Sequence, residues 1–181
     1  MLPIRIFLIS LAISAVISAS GQSSTPSPPP ELKKWDVWIG DWKLSGTAKN
    51  TPSEPEYKVD WYLHEHWILG GFFVQVDQIW KHNRQELHAM EIISYDPVKK
   101  THTLSGFSAD GWTWSVTAMF DNRRTIEEGV ATGPDGSTVT SRIEWEFSGD
   151  GKMLSGTQRS EQNGVRWTAF TVQGTKLKQP H

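Results

Sequence analysis

From residue 42 onward, hydrophobic and polar positions alternate in short runs that are separated by turn-forming residues. Alternation with a period of two places every second side chain on the same face of a β-strand, so each run predicts a strand with one buried and one wet face. The pattern predicts about ten strands, over residues 42–48, 57–63, 72–80, 86–95, 101–108, 112–120, 125–131, 138–147, 153–161 and 165–174.

The segments between these runs are short and rich in turn formers. Gly70-Gly71, Asp96-Pro97 and Asn163-Gly164 are examples, and Asn-Gly is the strongest hairpin signal because both residues tolerate positive φ. No segment has the pattern of a crossover helix, which favours an antiparallel sheet. Closing such a sheet removes its edges, so we predict an all-β, antiparallel up-and-down β-barrel of about ten strands. A sandwich is the competing architecture.

The segment before the first strand has a different pattern. Leu32, Trp35 and Ile39 are spaced by three and four residues, which is typical of one apolar helix face. This spacing predicts a short N-terminal helix that covers the barrel and ends at Gly40.

The first 30 residues have the composition of a targeting segment and a linker. Arg5 precedes an apolar run over 6–17, and the small residues 18–20 follow it. We interpret 1–20 as a secretory signal peptide, with an uncleaved anchor as the alternative. The Ser/Pro-rich stretch 21–30 is interpreted as an extended linker, 31–176 as the barrel domain and 177–181 as a C-terminal tail. The predicted location is therefore periplasmic or extracellular.

Charge and cysteine content exclude several kinds of site. The chain has 18 Lys and Arg residues against 20 Asp and Glu residues, so no basic surface for nucleic acid is expected, nor binding of the mature chain to a membrane surface. It has no cysteine, which excludes disulfides, thiolate nucleophiles and cysteine-ligated metals. The glycines fall at hairpins rather than in a phosphate-binding loop.

The central part of the chain is similar to a known family. Trp67 followed by 70–74 (GGFFV), then 95–97 (YDP) with Lys100, and 103–111 resemble the exported proteins catalogued as domain of unknown function 1579. Ser94 replaces the usual glycine of that family, and His102 replaces the usual aromatic residue. The resemblance covers residues 38–176 and implies a calycin-like barrel, but no established activity.

A second, shorter signature lies between the predicted helix and the first strand. Gly40-Asp41-Trp42 resembles the Gly-x-Trp motif of lipocalins, in which the tryptophan closes the barrel floor beneath a basic residue from the last strand. Arg166 and Lys176 are the candidates for that basic residue, and either would form a cation–π pair with Trp42.

Ten tryptophans are the most unusual feature of the composition. They could simply fill a wide barrel, line an internal cavity for a flat or hydrophobic ligand, or form a surface platform for sugars. The candidate ligand-binding residues are those on apolar faces of the predicted strands, together with a carboxylate among apolar neighbours: Trp61, Phe73, Trp112, Trp114, Trp145, Trp167 and Glu91.

Polar candidates for chemistry are few. His64 and His66 share one strand face and are weak candidates for a metal site, which would need a third ligand. Glu65, Asp77, Glu86 and Glu91 could supply paired carboxylates for acid–base work, and Glu91 is expected to be buried with a raised pKa. No catalytic residue is assigned from the sequence.

The function predicted from the sequence is non-covalent binding of a small hydrophobic or aromatic molecule inside an exported barrel. No cofactor is predicted, and the protein is expected to be a monomer or a homodimer. The alternatives are a hydrolase or isomerase with acidic or histidine residues in the cavity, and a structural or partner-binding protein with a filled barrel. Titratable side chains that converge inside the cavity would favour the enzyme.

Overall fold

The computed structural model describes residues 26–178. Ten β-strands follow a short 3-10 helix at Pro30–Trp35, with a single 3-10 turn at Leu69–Gly71 between the second and third strands. The strands are β1 (Gly40–Ala48), β2 (Tyr57–Ile68), β3 (Phe73–His82), β4 (Gln85–Asp96), β5 (Thr101–Ser108), β6 (Thr113–Asp121), β7 (Arg124–Thr132), β8 (Thr138–Phe147), β9 (Met153–Gln162) and β10 (Val165–Lys176).

The strands form a closed antiparallel barrel in chain order. Each strand pairs with its neighbours in sequence, and β1 closes the ring against β10, with Trp42 opposite Lys176. The predicted all-β class, strand number and up-and-down topology are confirmed. Closure leaves no unpaired strand edge, which an open ten-stranded sheet would have exposed.

The hairpin predicted at Asn163-Gly164 joins β9 to β10. Asn163 and Gly164 have φ values of +51° and +79°, as a two-residue type I′ turn requires at both central positions. Turns of this kind twist in the same sense as the strands that they join, so the local sequence favours this register.

Strand β2 is longer than its alternation predicts. The expected strand ended at residue 63, but the pairing with β1 continues to Glu65 and the pairing with β3 to Ile68. The inward face therefore continues from Trp61 and Leu63 to Glu65, which is buried. A charged residue at an inward position interrupts the hydrophobic alternation, and this is why the sequence pattern ended too early.

A β-bulge in β10 decides which of its side chains face inward. The register against β9 shifts between Thr168 and Phe170, so that Trp167 lies opposite Ser160 and Phe170 opposite Gln158. A bulge adds one residue to one strand of a pair and so reverses the alternation beyond it. Trp167 and Phe170, which are three residues apart, consequently both face the interior.

The predicted N-terminal helix over 31–39 is wrong in type and in length. The segment Pro30–Trp35 is a six-residue 3-10 helix, followed by a turn before β1. The buried residues are Leu32, Trp35 and Trp38, at intervals of three. In a 3-10 helix residues three apart lie directly above one another, so Leu32 and Trp35 share the face toward the barrel. Trp38 follows in the turn, where its amide N–H donates to the Trp35 carbonyl oxygen. Residues 30–39 close one end of the barrel, which is called the closed end below.

Trp42 lies at the closed end with its side chain fully buried. Its Nε1 donates a hydrogen bond of 2.7 Å to the carbonyl oxygen of Trp38. Lys176 Nζ lies 5.2 Å from the Trp42 ring centroid and donates to the Val37 carbonyl at 3.0 Å. The expected basic cover over Trp42 is therefore Lys176. Arg166 is excluded from this role, because it pairs with Glu161 near the hairpin at the other end of the barrel.

The signal peptide predicted over 1–20 lies outside the described residues, as do most of the linker and the last three residues of the tail. Within 26–178, no helix has both the length and the apolar composition needed to cross a membrane.

Candidate functional site: the barrel cavity

The barrel encloses a cavity of about 1190 Å³. Trp35 and Trp38 line it at the closed end. At the opposite end, which we call the rim, the lining includes Lys49, Asn50 and Glu54 of the loop between β1 and β2. Glu54 is exposed to solvent, so the cavity opens at the rim. A small molecule could enter there without unfolding the closed end.

Five of the six aromatic residues predicted to bind a ligand line this cavity: Trp61, Trp112, Trp114, Trp145 and Trp167. The assignment of Phe73 to the site is corrected. Strand alternation turns Val76 and Gln78 of β3 toward the cavity and places Phe73 on the outer side. Both faces of this strand carry large apolar residues, so the pattern did not show which face is inner.

The aromatic rings of the cavity wall contact one another. Trp61 stacks on Trp80 of the neighbouring strand, with ring centroids 3.9 Å apart and an angle of 25° between the planes. Phe170 packs near both rings, at 5.4 Å from Trp61 and 5.7 Å from Trp80. Stacked and tilted contacts of this kind fix the orientation of each ring. The wall near the rim is therefore a rigid apolar surface.

Two cavity tryptophans lie flat over glycines of the adjacent strand. Trp114 pairs with Gly106, and a Cβ atom built on Gly106 would lie 2.2 Å from its ring. Trp145 pairs with Gly156 in the same way, at 2.1 Å. Any larger residue at either glycine would push the indole toward the middle of the barrel. The glycines therefore keep the cavity open by letting the rings lie against its wall.

Three glutamic acids face the same cavity from different strands. Glu65 lies on β2, Glu91 on β4 and Glu127 on β7, and their exposed fractions are 3%, 9% and 7%. Trp114 Nε1 donates a hydrogen bond to Glu91 Oε2. Glu65 and Glu91 both lie opposite Val76 of β3, in the registers of β2 and β4. Carboxyl groups in an apolar interior are uncommon, because burial without a partner is costly.

Burial raises the pKa of all three carboxyl groups. It raises the pKa of Glu91 to about 7, against a smaller opposing effect of the Trp114 hydrogen bond. Burial and the nearby Glu91 raise the pKa of Glu127 to about 8. The pKa of Glu65 is raised well above its usual value by burial and by the two other carboxyls, and Lys176 opposes this. Mutual repulsion of like charges disfavours the fully ionised cluster.

Several buried polar atoms of the cavity wall have no hydrogen-bond partner within residues 26–178. They are Trp61 Nε1, Trp145 Nε1 and Glu65 Oε2. Trp145 faces Glu127 and lowers its pKa somewhat, but no hydrogen bond of good geometry joins them. Buried polar groups are nearly always paired in folded proteins, so these atoms are available to bind a further polar group in the cavity.

The histidines considered for a metal site lie outside the cavity. His64 Nδ1 is 2.7 Å from Asp41 Oδ1, and the rings of His64 and His66 are 4.8 Å apart on the outer side of β2. No group of three His, Cys, Asp or Glu side chains suited to a metal ion occurs in the described part of the chain. Glu86, another proposed carboxylate, pairs with Lys81 at the rim.

The sequence analysis missed Glu127 and Trp80. Glu127 alternates with Thr125 and Gly129 on a strand of weak hydrophobic character, so nothing marked it as inward. The available signal was the pairing of β7 with β8, which sets Glu127 opposite Ile143 of the clearly amphipathic strand. Trp80 lies on β3, where both faces carry large apolar residues, and the pattern did not assign it to the ligand site.

Solved structures share this architecture, and Rv2717c is one of them. The crystal structure of Rv2717c from M. tuberculosis matches with a TM-score of 0.64 over 84% of this chain and 100% of that chain, at 12% identity. Similarity at this level of identity shows the fold alone. The chain matches no protein-family model and no curated protein.

Proposed function

We propose that this protein binds a small hydrophobic or aromatic molecule non-covalently inside the barrel. The observation that carries the proposal is a cavity of about 1190 Å³ that opens at the rim and is walled by tryptophans. Its volume is comparable to the upper end of the range for small-molecule sites, which is roughly 300–1,000 Å³. A barrel filled by its own side chains, as a purely structural role would predict, would leave no such space.

The proposed setting is outside the cytoplasm. It rests on the signal-like composition of residues 1–20 and on the resemblance of 38–176 to an exported family. The barrel contains no disulfide. Packing and strand pairing therefore stabilise the domain, whether the protein is periplasmic or extracellular.

Intrinsic tryptophan fluorescence tests the binding proposal directly, because the reporting rings line the cavity. The protein is titrated with long-chain fatty acids, haem and phenolic compounds, and saturable quenching by at least one class is expected. Flat responses to all classes would contradict the proposal.

A pair of variants separates binding in the cavity from binding on the surface. Ala89→Phe adds a ring on the inner face of β4, whereas Thr117→Phe adds the same ring on the outer face of β6. We expect Ala89→Phe to weaken binding by about tenfold or more, which corresponds to roughly 1.4 kcal/mol, and Thr117→Phe to leave it unchanged. Equal binding by both variants would place the ligand elsewhere.

The carboxyl groups support a second candidate function, an enzyme of the isomerase or hydrolase type. Glu91 and Glu127 have pKa values of about 7 and about 8, so the pair holds a proton near neutral pH and can both take and give one. A base and an acid in one apolar cavity are what a proton-transfer reaction needs. The test is incorporation of solvent deuterium into a bound ligand. Exchange that is lost in both Glu91→Gln and Glu127→Gln would support a proton-transfer enzyme of the isomerase type, and no exchange would reject an enzyme of that type.

A further inference from the structure

We propose that the molecule held in the cavity is an apolar amine, whose cationic nitrogen lies among Glu65, Glu91 and Glu127 while its ring or chain contacts the tryptophans. This inference rests on the proposed function and specifies the class of ligand. It concerns the charge of the ligand, which hydrophobic lining alone would not determine.

The buried charges that face the cavity have one sign. Its three buried ionisable residues are all acidic. The other ionisable side chains of the lining lie toward the rim: Lys49, Glu54, Tyr57, His82, Glu86 and Asp110. At the closed end, the cation close enough to Glu65 to oppose its rise in pKa is Lys176, which is already bonded to the Val37 carbonyl and covers Trp42. Among residues 26–178, the carboxyls of the cavity are therefore not neutralised by an arginine or lysine placed among them.

Two indole N–H groups of the cavity wall also bear on the chemistry of the ligand. Trp61 Nε1 and Trp145 Nε1 line the cavity without a hydrogen-bond partner in the described chain, on side chains that are 5% and 3% exposed. Two buried donors without a partner on the cavity wall point to a ligand that brings an acceptor with it. An amine that also carries a hydroxyl, ether or carbonyl oxygen would satisfy both the donors and the carboxyls.

The aromatic wall of the cavity also suits a cationic ligand. A cation is attracted to the face of an indole ring, and tryptophan is the most favourable residue for this contact. Trp114 is hydrogen-bonded to Glu91, and Trp145 faces Glu127, so an aromatic ring accompanies each of these two carboxyls. A desolvated ammonium group would therefore meet a carboxylate and an indole together.

A neutral or anionic ligand fits these observations less well. An anion would be repelled by any ionised member of the cluster, and would itself lose hydration without gaining a cation. A neutral hydrophobic molecule would leave Glu65 Oε2 and both indole N–H groups unsatisfied. An ammonium group favours ionised carboxylates, so its binding is expected to release protons from the cluster.

The test compares three probes that share one ring and differ in charge. These are 1-naphthylmethylamine, 1-naphthalenemethanol and 1-naphthoate, titrated into the full chain by calorimetry at pH 7. We expect the amine to bind about tenfold more tightly than the alcohol, and the naphthoate to bind most weakly, as expected for a charge-assisted contact. Measurements in two buffers of different ionisation enthalpy should show proton release with the amine and none with the alcohol.

The variants identify the group responsible. Glu91→Gln and Glu127→Gln should each reduce the preference for amine over alcohol several-fold, while Glu146→Gln, on the outer face of β8, should not change it. Equal binding of amine and alcohol would overturn the amine inference and leave the proposed function standing. Failure of all three probes, together with flat fluorescence titrations against the compound classes, would overturn both.

Discussion

Replacing Glu127 with glutamine should make the protein more stable at alkaline pH and leave its stability almost unchanged at pH 5. Glu127 is buried in the cavity wall, and burial together with the nearby Glu91 raises its pKa from 4.5 to about 8. The folded protein therefore holds a proton on this group over a range in which the unfolded chain has lost it. Glutamine has the shape of the protonated acid and cannot ionise.

The sign of the effect follows from proton linkage. Between about pH 4.5 and pH 8 the folded state binds more protons than the unfolded state, so the free energy of unfolding falls as the pH rises. The contribution of Glu127 to folding stability is fully present below its pKa in the unfolded chain. It is lost as the pH rises through its pKa in the folded protein. Each pKa unit is worth about 1.4 kcal/mol, so the loss between pH 5 and pH 8 is on the order of 3 kcal/mol.

The assay is urea unfolding, monitored by tryptophan fluorescence at pH 5, 6, 7 and 8. The Glu127→Gln protein should differ from the natural one by less than about 1 kcal/mol at pH 5, and should be more stable by about 3 kcal/mol at pH 8. For a domain of this size, the second difference corresponds to a rise in melting temperature of roughly 10 °C. Glu146→Gln, on the solvent-exposed face of β8, is the matched control and should follow the natural protein at every pH.

If the free energies of unfolding of Glu127→Gln and the natural protein differed by the same amount at every pH, this account of Glu127 would be refuted. A variant that is less stable than the natural protein at pH 8 would show that Glu127 is ionised and held by a favourable partner. Either result would also remove the basis for an acid–base pair with Glu91.

Four further predictions follow from particular contacts. Trp42→Ala removes the buried indole and should lower stability by about 3–5 kcal/mol in urea unfolding. Lys176→Met keeps an aliphatic cover over the ring and should cost roughly 1 kcal/mol. A small effect of Trp42→Ala would contradict the role of this tryptophan in closing the barrel. Gly156→Ala should cost about 1–3 kcal/mol and shift the fluorescence spectrum, because the new Cβ displaces the Trp145 ring, while Ser155→Ala on the outer face should do neither. Burial and Lys34 lower the pKa of His102 to about 4, and its Nδ1 accepts a hydrogen bond from Trp35. The contribution of His102 to stability should be full above pH 6.5 and should be lost as the pH falls through 4. A pKa near 6.5 in an NMR titration of the imidazole would refute this. The cavity variant Ala89→Phe should lose ligand binding while Thr117→Phe keeps it, as measured by the fluorescence titration.

The strand pattern was predictable because it depends on local alternation. Val59, Trp61 and Leu63 mark the inner face of β2 without any knowledge of its neighbours, and the antiparallel ring follows from short connections. The bulge in β10 was not predictable, because a single extra residue near Ala169 leaves both faces of the strand mixed in composition. The predicted helix extended to residue 39 because Ile39 was counted on the apolar face, whereas Trp38 is the buried residue after Trp35.

The candidate site was only partly predictable for a physical reason. Tryptophans on apolar faces can be recognised from the sequence, because large rings at inward positions continue the hydrophobic pattern. Buried carboxyls break that pattern, so Glu65 ended a predicted strand and Glu127 was not noticed, whereas Glu91 was recognised from its apolar neighbours Ala89 and Ile93. Which carboxyls face one another depends on the closure of the barrel, which alternation along the chain does not specify.

The three carboxyls are difficult to explain by folding alone. Aliphatic or other uncharged residues occupy the inward positions two residues away from each of them, for example Leu63, Ile93 and Thr125, so the interior accepts such side chains. A buried ionisable group lowers stability at any pH at which it must ionise in the folded protein. Natural proteins keep such groups mainly where function requires them. The gain in stability at pH 8 and the loss of preference for an amine should therefore appear together in Glu127→Gln. A variant that gained the stability but bound the amine unchanged would separate the two, and would assign the cost of burying Glu127 to something other than the ligand.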